Sequence, residues 1–178
     1  MNYLQKMKGG GQSPPRVRLP EVFWSWIGSF FGLAAVALIH YKILDQTGLM
    51  LIIGSFGASA VLIYGAIRSP LAQPRNLLGG HILSALIGVT TVKLLGGQPW
   101  LAAAIAVSTS IAVMHLTGTL HPPGGATALI AVIGGDSVHN LGYLYVLIPT
   151  ALGAIVMLVV ALIINNIPKN RKYPEFWF

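Results

Sequence analysis

The 178-residue sequence contains no cysteine and only four acidic residues, Glu21, Asp45, Asp136 and Glu175. Without cysteine there is no disulfide, no thiol nucleophile and no thiolate metal site. Asp45 and Asp136 fall in predicted external loops. No carboxylate pair is therefore placed in the predicted membrane interior for acid–base hydrolysis. A nucleotide-binding loop is also missing. Charged residues make up only 8% of the chain, against roughly a quarter in soluble domains.

Apolar residues fill the gap. They amount to 54% of the sequence, and the mean hydropathy is +0.73. Several apolar runs approach the ~20 residues that cross a ~30 Å hydrocarbon core. The composition predicts one polytopic membrane domain with no separate soluble domain and no cleavable signal. The formal net charge of +7 sits in tails and short loops. Positive-inside topology accounts for it, so the lipid bilayer, not nucleic acid, is the expected partner.

Six apolar elements are predicted, at about residues 22–44, 48–67, 76–95, 100–117, 120–135 and 141–167. Residues 1–20 read as a flexible, basic cytoplasmic segment, 21–167 as the transmembrane domain, and 168–178 as a basic and aromatic cytoplasmic tail. Six crossings would put nine basic residues inside and leave only Lys42 and Lys93 outside. If the second and fifth elements are re-entrant hairpins, the split falls to eight against three. The charge rule favours six crossings, with both termini cytoplasmic.

The fifth element carries His121-Pro122-Pro123-Gly124-Gly125-Ala126-Thr127-Ala128. Two prolines and two glycines remove backbone donors and helical bias where a membrane segment normally stays regular. Irregular backbone at membrane depth is tolerated only where protein or a polar cavity covers it. An extended stretch over 120–124 would let this short element cross. A proline kink with glycines for close packing is the alternative.

A second broken stretch, Gly54-Ser55-Phe56-Gly57, interrupts the second element. Gly57-Ala58-Ser59-Ala60-Val61-Leu62 aligns with Gly125-Ala126-Thr127-Ala128-Leu129-Ile130, and a second, shorter match follows downstream. The fold expected is an all-α integral membrane protein of about six elements in two inverted three-element repeats. The second and fifth elements would be broken into half-helices whose N-termini face each other near the midplane. Facing N-termini offer unpaired N–H groups and partial positive charge, and so an anion site without a buried cation.

Those motifs carry a family resemblance. Together with Ser69-Pro70-Leu71-Ala72-Gln73-Pro74-Arg75-Asn76-Leu77-Leu78-Gly79-Gly80-His81, they resemble the HPP family of integral membrane proteins over residues 20–165. The usual motif often has Ala where this chain has Gly124. Members from cyanobacteria and plant chloroplasts are associated with nitrite transport. The resemblance thus implies a carrier for nitrite or a similar small anion, in a bacterial, cyanobacterial-type plasma membrane.

The expected substrate-binding residues are Ser55, Gly57, Ala58, Ser59, His121, Gly124, Gly125, Ala126 and Thr127. Hydroxyls of Ser55, Ser59 and Thr127 would add donors beside the half-helix N-termini; local backbone bonding is their other reading. Arg75, Asn76 and His81 are assigned to a vestibule or proton relay, with helix capping and topogenic charge as the structural reading. His81, His115 and His121 lie within predicted membrane elements, where an ionisable group is a functional candidate by default. Titration near neutrality would let His81 or His121 relay a proton. Their wide spacing and the scarcity of carboxylates point to no metal and no cofactor. His40 and His139 read as loop or interface residues. Gly28 and Gly32 form a GxxxG pair suited to close packing or to a homo-oligomer. An anion channel is the alternative to a carrier; a membrane enzyme or receptor built on the histidines is more remote.

Overall fold

The computed structural model describes residues 2–8 and 10–178. Among the described residues all regular elements are helical: α1 (Tyr3–Lys6), α2 (Leu19–Ile39), α3 (Ser55–Ala60), α4 (Pro74–Leu95), α5 (Pro99–Leu116), α6 (Pro122–Ile133), α7 (Asp136–His139) and α8 (Leu152–Ile164). Further helical turns carry α2 on to Thr47 and α3 on to Gly65, and Val146–Ala151 leads into α8. Proline occupies the first turn of α2, α4, α5 and α6. There its missing N–H costs nothing and its fixed φ already suits a helix.

Four stretches are long and apolar enough to span a membrane: Leu19–Thr47, Pro74–Leu95, Pro99–Leu116 and Val146–Ile164. The protein is an all-α membrane protein. Ser55–Gly65 and Pro122–Ile133 are shorter apolar helices. The 12 residues of α6 reach only about 18 Å, against a core of ~30 Å. Non-helical backbone leads into each, over residues 49–53 and 119–121. Leu51 and His121, within those leads, are fully buried, as irregular backbone at membrane depth requires.

The boundaries of these leads correct the sequence reading. The extended stretch expected over 120–124 ends at His121, whose φ/ψ of −140°/103° is the last extended pair. Pro122, Pro123 and Gly124 form the first turn of α6. The physical reason is that a first helical turn donates no intrahelical N–H bonds, so proline opens a helix as readily as it breaks one. Likewise Gly54 precedes α3, and Ser55, Phe56 and Gly57 are its first turn, not an interruption.

Helix α4 is the central post, packed against both α5 and α6. On the other side, Tyr64 fills the notch made by Gly28 and Gly32, and its hydroxyl donates to Met157 O at 2.9 Å. The GxxxG pair is thus used within the chain, not left free for a second copy. One end of the bundle gathers the start of α2, residues 64–75, Thr117 and the tail. Asn170 Nδ2 donates to Glu21 there, Arg75 to Thr117 O, and Tyr173 Oη to Ala72 O. The opposite end brings Lys93 over the Tyr143 ring at 5.5 Å.

Candidate functional site

Helices α3 and α6 meet through their polar side chains. Ser59 Oγ lies 2.9 Å from His121 Nε2, and Thr127 Oγ1 lies 2.9 Å from Ser55 Oγ. An early residue of each helix therefore meets a later one of the other, so the two pass side by side in opposite directions. The expected tip-to-tip arrangement of N-termini is not formed. The first-turn amides are also occupied: Phe56 N donates to Ile53 O, Gly57 N to Gly54 O, and Gly124 N to His121 O. Pro122 and Pro123 have no N–H to offer. Donors at this crossing come from side chains instead.

His81, two turns into α4, completes the cluster. Its Nε2 is 2.7 Å from Ser59 Oγ and its Nδ1 is 2.7 Å from Thr127 Oγ1. His121 Nδ1 lies 2.8 Å from Leu71 O. Ser55, Ser59, His81, His121 and Thr127 are all 0–1% exposed. Phe56 covers His81 edge-on, with ring centroids 5.4 Å apart. Tyr145 Oη donates to Thr127 O at 3.1 Å and braces α6 from behind.

The hydrogen positions follow from counting donors. Leu71 O only accepts, so His121 Nδ1 carries a hydrogen. In a neutral ring, His121 Nε2 then accepts from the Ser59 hydroxyl. Ser59 Oγ can accept in turn from His81 Nε2–H. That leaves His81 Nδ1 to accept from Thr127, whose hydroxyl also has Ser55 Oγ within reach as an acceptor. In this neutral arrangement the single Thr127 hydrogen serves His81, and Ser55 receives none. Thr127 donating to Ser55, with every ring nitrogen still bonded, requires one added proton shared by the His81–Ser59–His121 chain, on either ring. A single proton on this pair of rings therefore turns the Thr127 hydroxyl from His81 toward Ser55.

The expected site residues divide into two sets. Ser55, Ser59, His81, His121 and Thr127 converge. Gly124 is buried behind them at the α4–α6 contact, where a Cβ would lie 2.7 Å from Gly80 O. Close backbone approach is the reason glycine suits the position. Gly57 and Ala58 are exposed on α3, while Gly125 and Ala126 are half-buried on the flank of α6. Ala58 and Ala126, with Val61, Leu62, Pro122 and Pro123, line an apolar groove of about 360 Å³. This groove passes one residue away from Ser59 and His121. A Cβ at Gly57 meets nothing within 4 Å. Gly57→Leu is therefore expected to leave any transport within about twofold of wild type, measured as vesicle uptake, because surface substitutions away from buried contacts are near neutral.

Arg75 and Asn76 stand outside the cluster. Arg75 donates to Thr117 O, and Asn76 Nδ2 donates to Leu120 O at 2.9 Å. Asn76 does not cap its own helix; together the pair clamps the non-helical segment that delivers His121. His115 is exposed at the end of α5. His139 ties Val132 O, and His40 accepts from Leu51 N. Two contributors escape sequence reasoning. Tyr145 reads there as part of an apolar span. Gln73, fully buried, donates to Ile67 O and Ser69 O and accepts from Glu175 N, fixing the loop that carries Leu71.

Comparison with known proteins agrees with this architecture. Two relatives are transmembrane proteins of Dictyostelium discoideum, 48% identical over 181 residues and 45% identical over 183 residues. Each alignment covers all of this chain but only 58% and 64% of the relatives. The chain thus spans about three-fifths of the length of the curated relatives it matches. These relatives are eukaryotic, which corrects the bacterial, cyanobacterial-type setting inferred from the motifs. The motifs report a membrane scaffold and carry no information about the host. No solved structure matches the chain. The model of the HPP transmembrane region matches residues 14–174, taking in both short helices and every residue of the buried cluster, and the chain belongs to that family.

Proposed function

We propose that the protein is a multi-pass transporter of nitrite or a similar small monovalent anion. The substrate is held at the Ser55–Ser59–His81–His121–Thr127 cluster. The single observation that carries the reading is this cluster itself: five uncharged hydrogen-bonding side chains at the crossing of two helices too short to span. Intramembrane polar groups are expensive, and such sites mark substrate paths. All four carboxylates lie at or beyond helix ends, so the interior offers donors but no countercharge for a cation.

The six elements form two inverted repeats in this reading, with a short helix in each half and both termini cytoplasmic. The groove between α3 and α6 is the approach to the cluster. The Ser55 hydroxyl, an acceptor within the cluster, can turn its hydrogen to an incoming anion, and protonation of His81 supplies a positive charge nearby. Anion entry is then coupled to a proton, and uptake is faster from the more acidic side. The closed, buried cluster favours a carrier over a continuous pore.

Uptake of nitrite, nitrate, formate and chloride into proteoliposomes at two pH values tests this. Saturable nitrite uptake with counterflow is expected, above the rate in protein-free vesicles. Fast, non-saturating flux would indicate a channel. Flux of none of the four anions above the protein-free rate would end the transport reading.

A further inference from the structure

At the end of the bundle where the tail returns, Arg171 is enclosed without adequate partners. Its side chain is 2% exposed, and only Nη2 has a hydrogen bond, 2.7 Å to Tyr64 O. Nε and Nη1 have none. The nearest carboxylate oxygen, Glu21 Oε2, lies 3.7 Å from Nε, beyond hydrogen-bonding reach. Glu21 is itself engaged elsewhere, because its Oε1 accepts from Asn170 Nδ2 at 3.0 Å. Burial lowers the Arg171 pKa below the usual arginine value, with Glu21 opposing that shift. A guanidinium has five donors in a planar fork, and leaving them unpaired in a buried setting is costly.

Arg171 also forms part of the wall of a cavity of about 490 Å³, together with Arg18, Arg68, Glu21 and Asn170. Gly65, Ala66 and Ile67 complete its lining. Three arginines face one carboxylate, leaving two positive charges in excess. Arg68 is held only by a 3.4 Å bond to Asn170 O, and Arg18 is exposed, so both can turn toward an occupant. Planar guanidinium groups match phosphate oxygens two at a time. The excess of two charges matches a phosphomonoester dianion better than the monoanion proposed for the central cluster.

We infer that the cavity between the start of α2, the loop at 65–68 and the returning tail binds a phosphate monoester group through Arg18, Arg68 and Arg171. Glu21 is the competing anion that an occupant displaces. The position at one end of the bundle suits the headgroup phosphate of phosphatidic acid, and the same chemistry admits a soluble phosphate. This inference does not rest on the transport reading, since it concerns a different cavity and a binding measurement.

The test uses the full chain in phosphatidylcholine nanodiscs and reads the thermal unfolding midpoint. One arm adds phosphatidic acid to the lipid, and a second adds inorganic phosphate to the buffer. A rise with phosphatidic acid alone assigns the site to lipid; a rise with inorganic phosphate assigns it to a soluble anion. Glu21→Gln is expected to tighten half-saturation, and Arg171→Gln to weaken it by about tenfold or more. Should Arg171→Gln fail to fold, the double variant Arg18→Gln/Arg68→Gln alters only exposed side chains and carries the same expectation. An unshifted wild-type midpoint in both arms overturns the proposal. So does an equal shift in wild type and the double variant, which would mark general charge attraction.

Discussion

Replacing Ser59 with alanine is expected to reduce anion uptake by roughly tenfold or more, the equivalent of ~1.4 kcal/mol in the transport barrier. Ser59 Oγ touches both imidazoles, at 2.7 Å from His81 and 2.9 Å from His121. Alanine removes the acceptor for His81 Nε2–H and the donor to His121 Nε2 together. Two buried ring nitrogens then lack partners, at about 1–3 kcal/mol each. Proteoliposome uptake and thermal unfolding of the same preparation read the two effects. Ser59→Thr keeps the hydroxyl and is expected to restore most of the uptake. A purely structural serine would lower stability in Ser59→Ala without changing uptake per folded molecule.

The second large effect is expected at Gly88, where α4 touches α6. A Cβ there would lie 2.7 Å from Ala128 O, 2.8 Å from Ala131 Cβ and 2.9 Å from Ala128 Cα. Two of those atoms are backbone of α6, so the clash cannot be relieved by rotating a side chain. Gly88→Ala is expected to cost about 1–3 kcal/mol by overpacking, read as a lowered unfolding midpoint in detergent. It also pushes α6 away from α4, and with it Thr127 and His121 away from His81. Uptake should fall along with stability. Ala131→Gly removes only the methyl contact, so the double variant is expected to recover part of the loss. A full recovery would show that the backbone contact is not limiting.

Much of this arrangement is legible in the residues. Scarce charge and long apolar runs predict a membrane bundle, and the four spanning helices follow their apolar runs. Ser55, Ser59, His81, His121 and Thr127 are named from polarity at membrane depth, and the fold packs all five together. The geometry between them is less legible. Pro-Pro-Gly-Gly predicts a break, yet proline is equally at home in a first helical turn, and neighbouring sequence does not distinguish the two. The backbone amides assigned to an anion are therefore occupied by tight turns. Small residues are ambiguous for the same reason. Gly57 and Gly124 look alike in sequence, but one faces open space and the other touches Gly80 O. Arg171 reads as a topogenic charge, and only the folded tail reveals its enclosure.

The central claim is that substrate occupies the histidine–hydroxyl cluster. Imidazole ¹⁵N resonances of His81 and His121, assigned through single His→Gln variants, report that position directly. Without substrate, the directed hydrogen-bond chain predicts two neutral rings of opposite tautomer, with His121 protonated at Nδ1 and His81 at Nε2. Adding nitrite is expected to shift both signals in a saturable way and to bring His81 toward the doubly protonated form. Unchanged signals in protein that still carries nitrite would contradict the account, because the anion would then cross elsewhere.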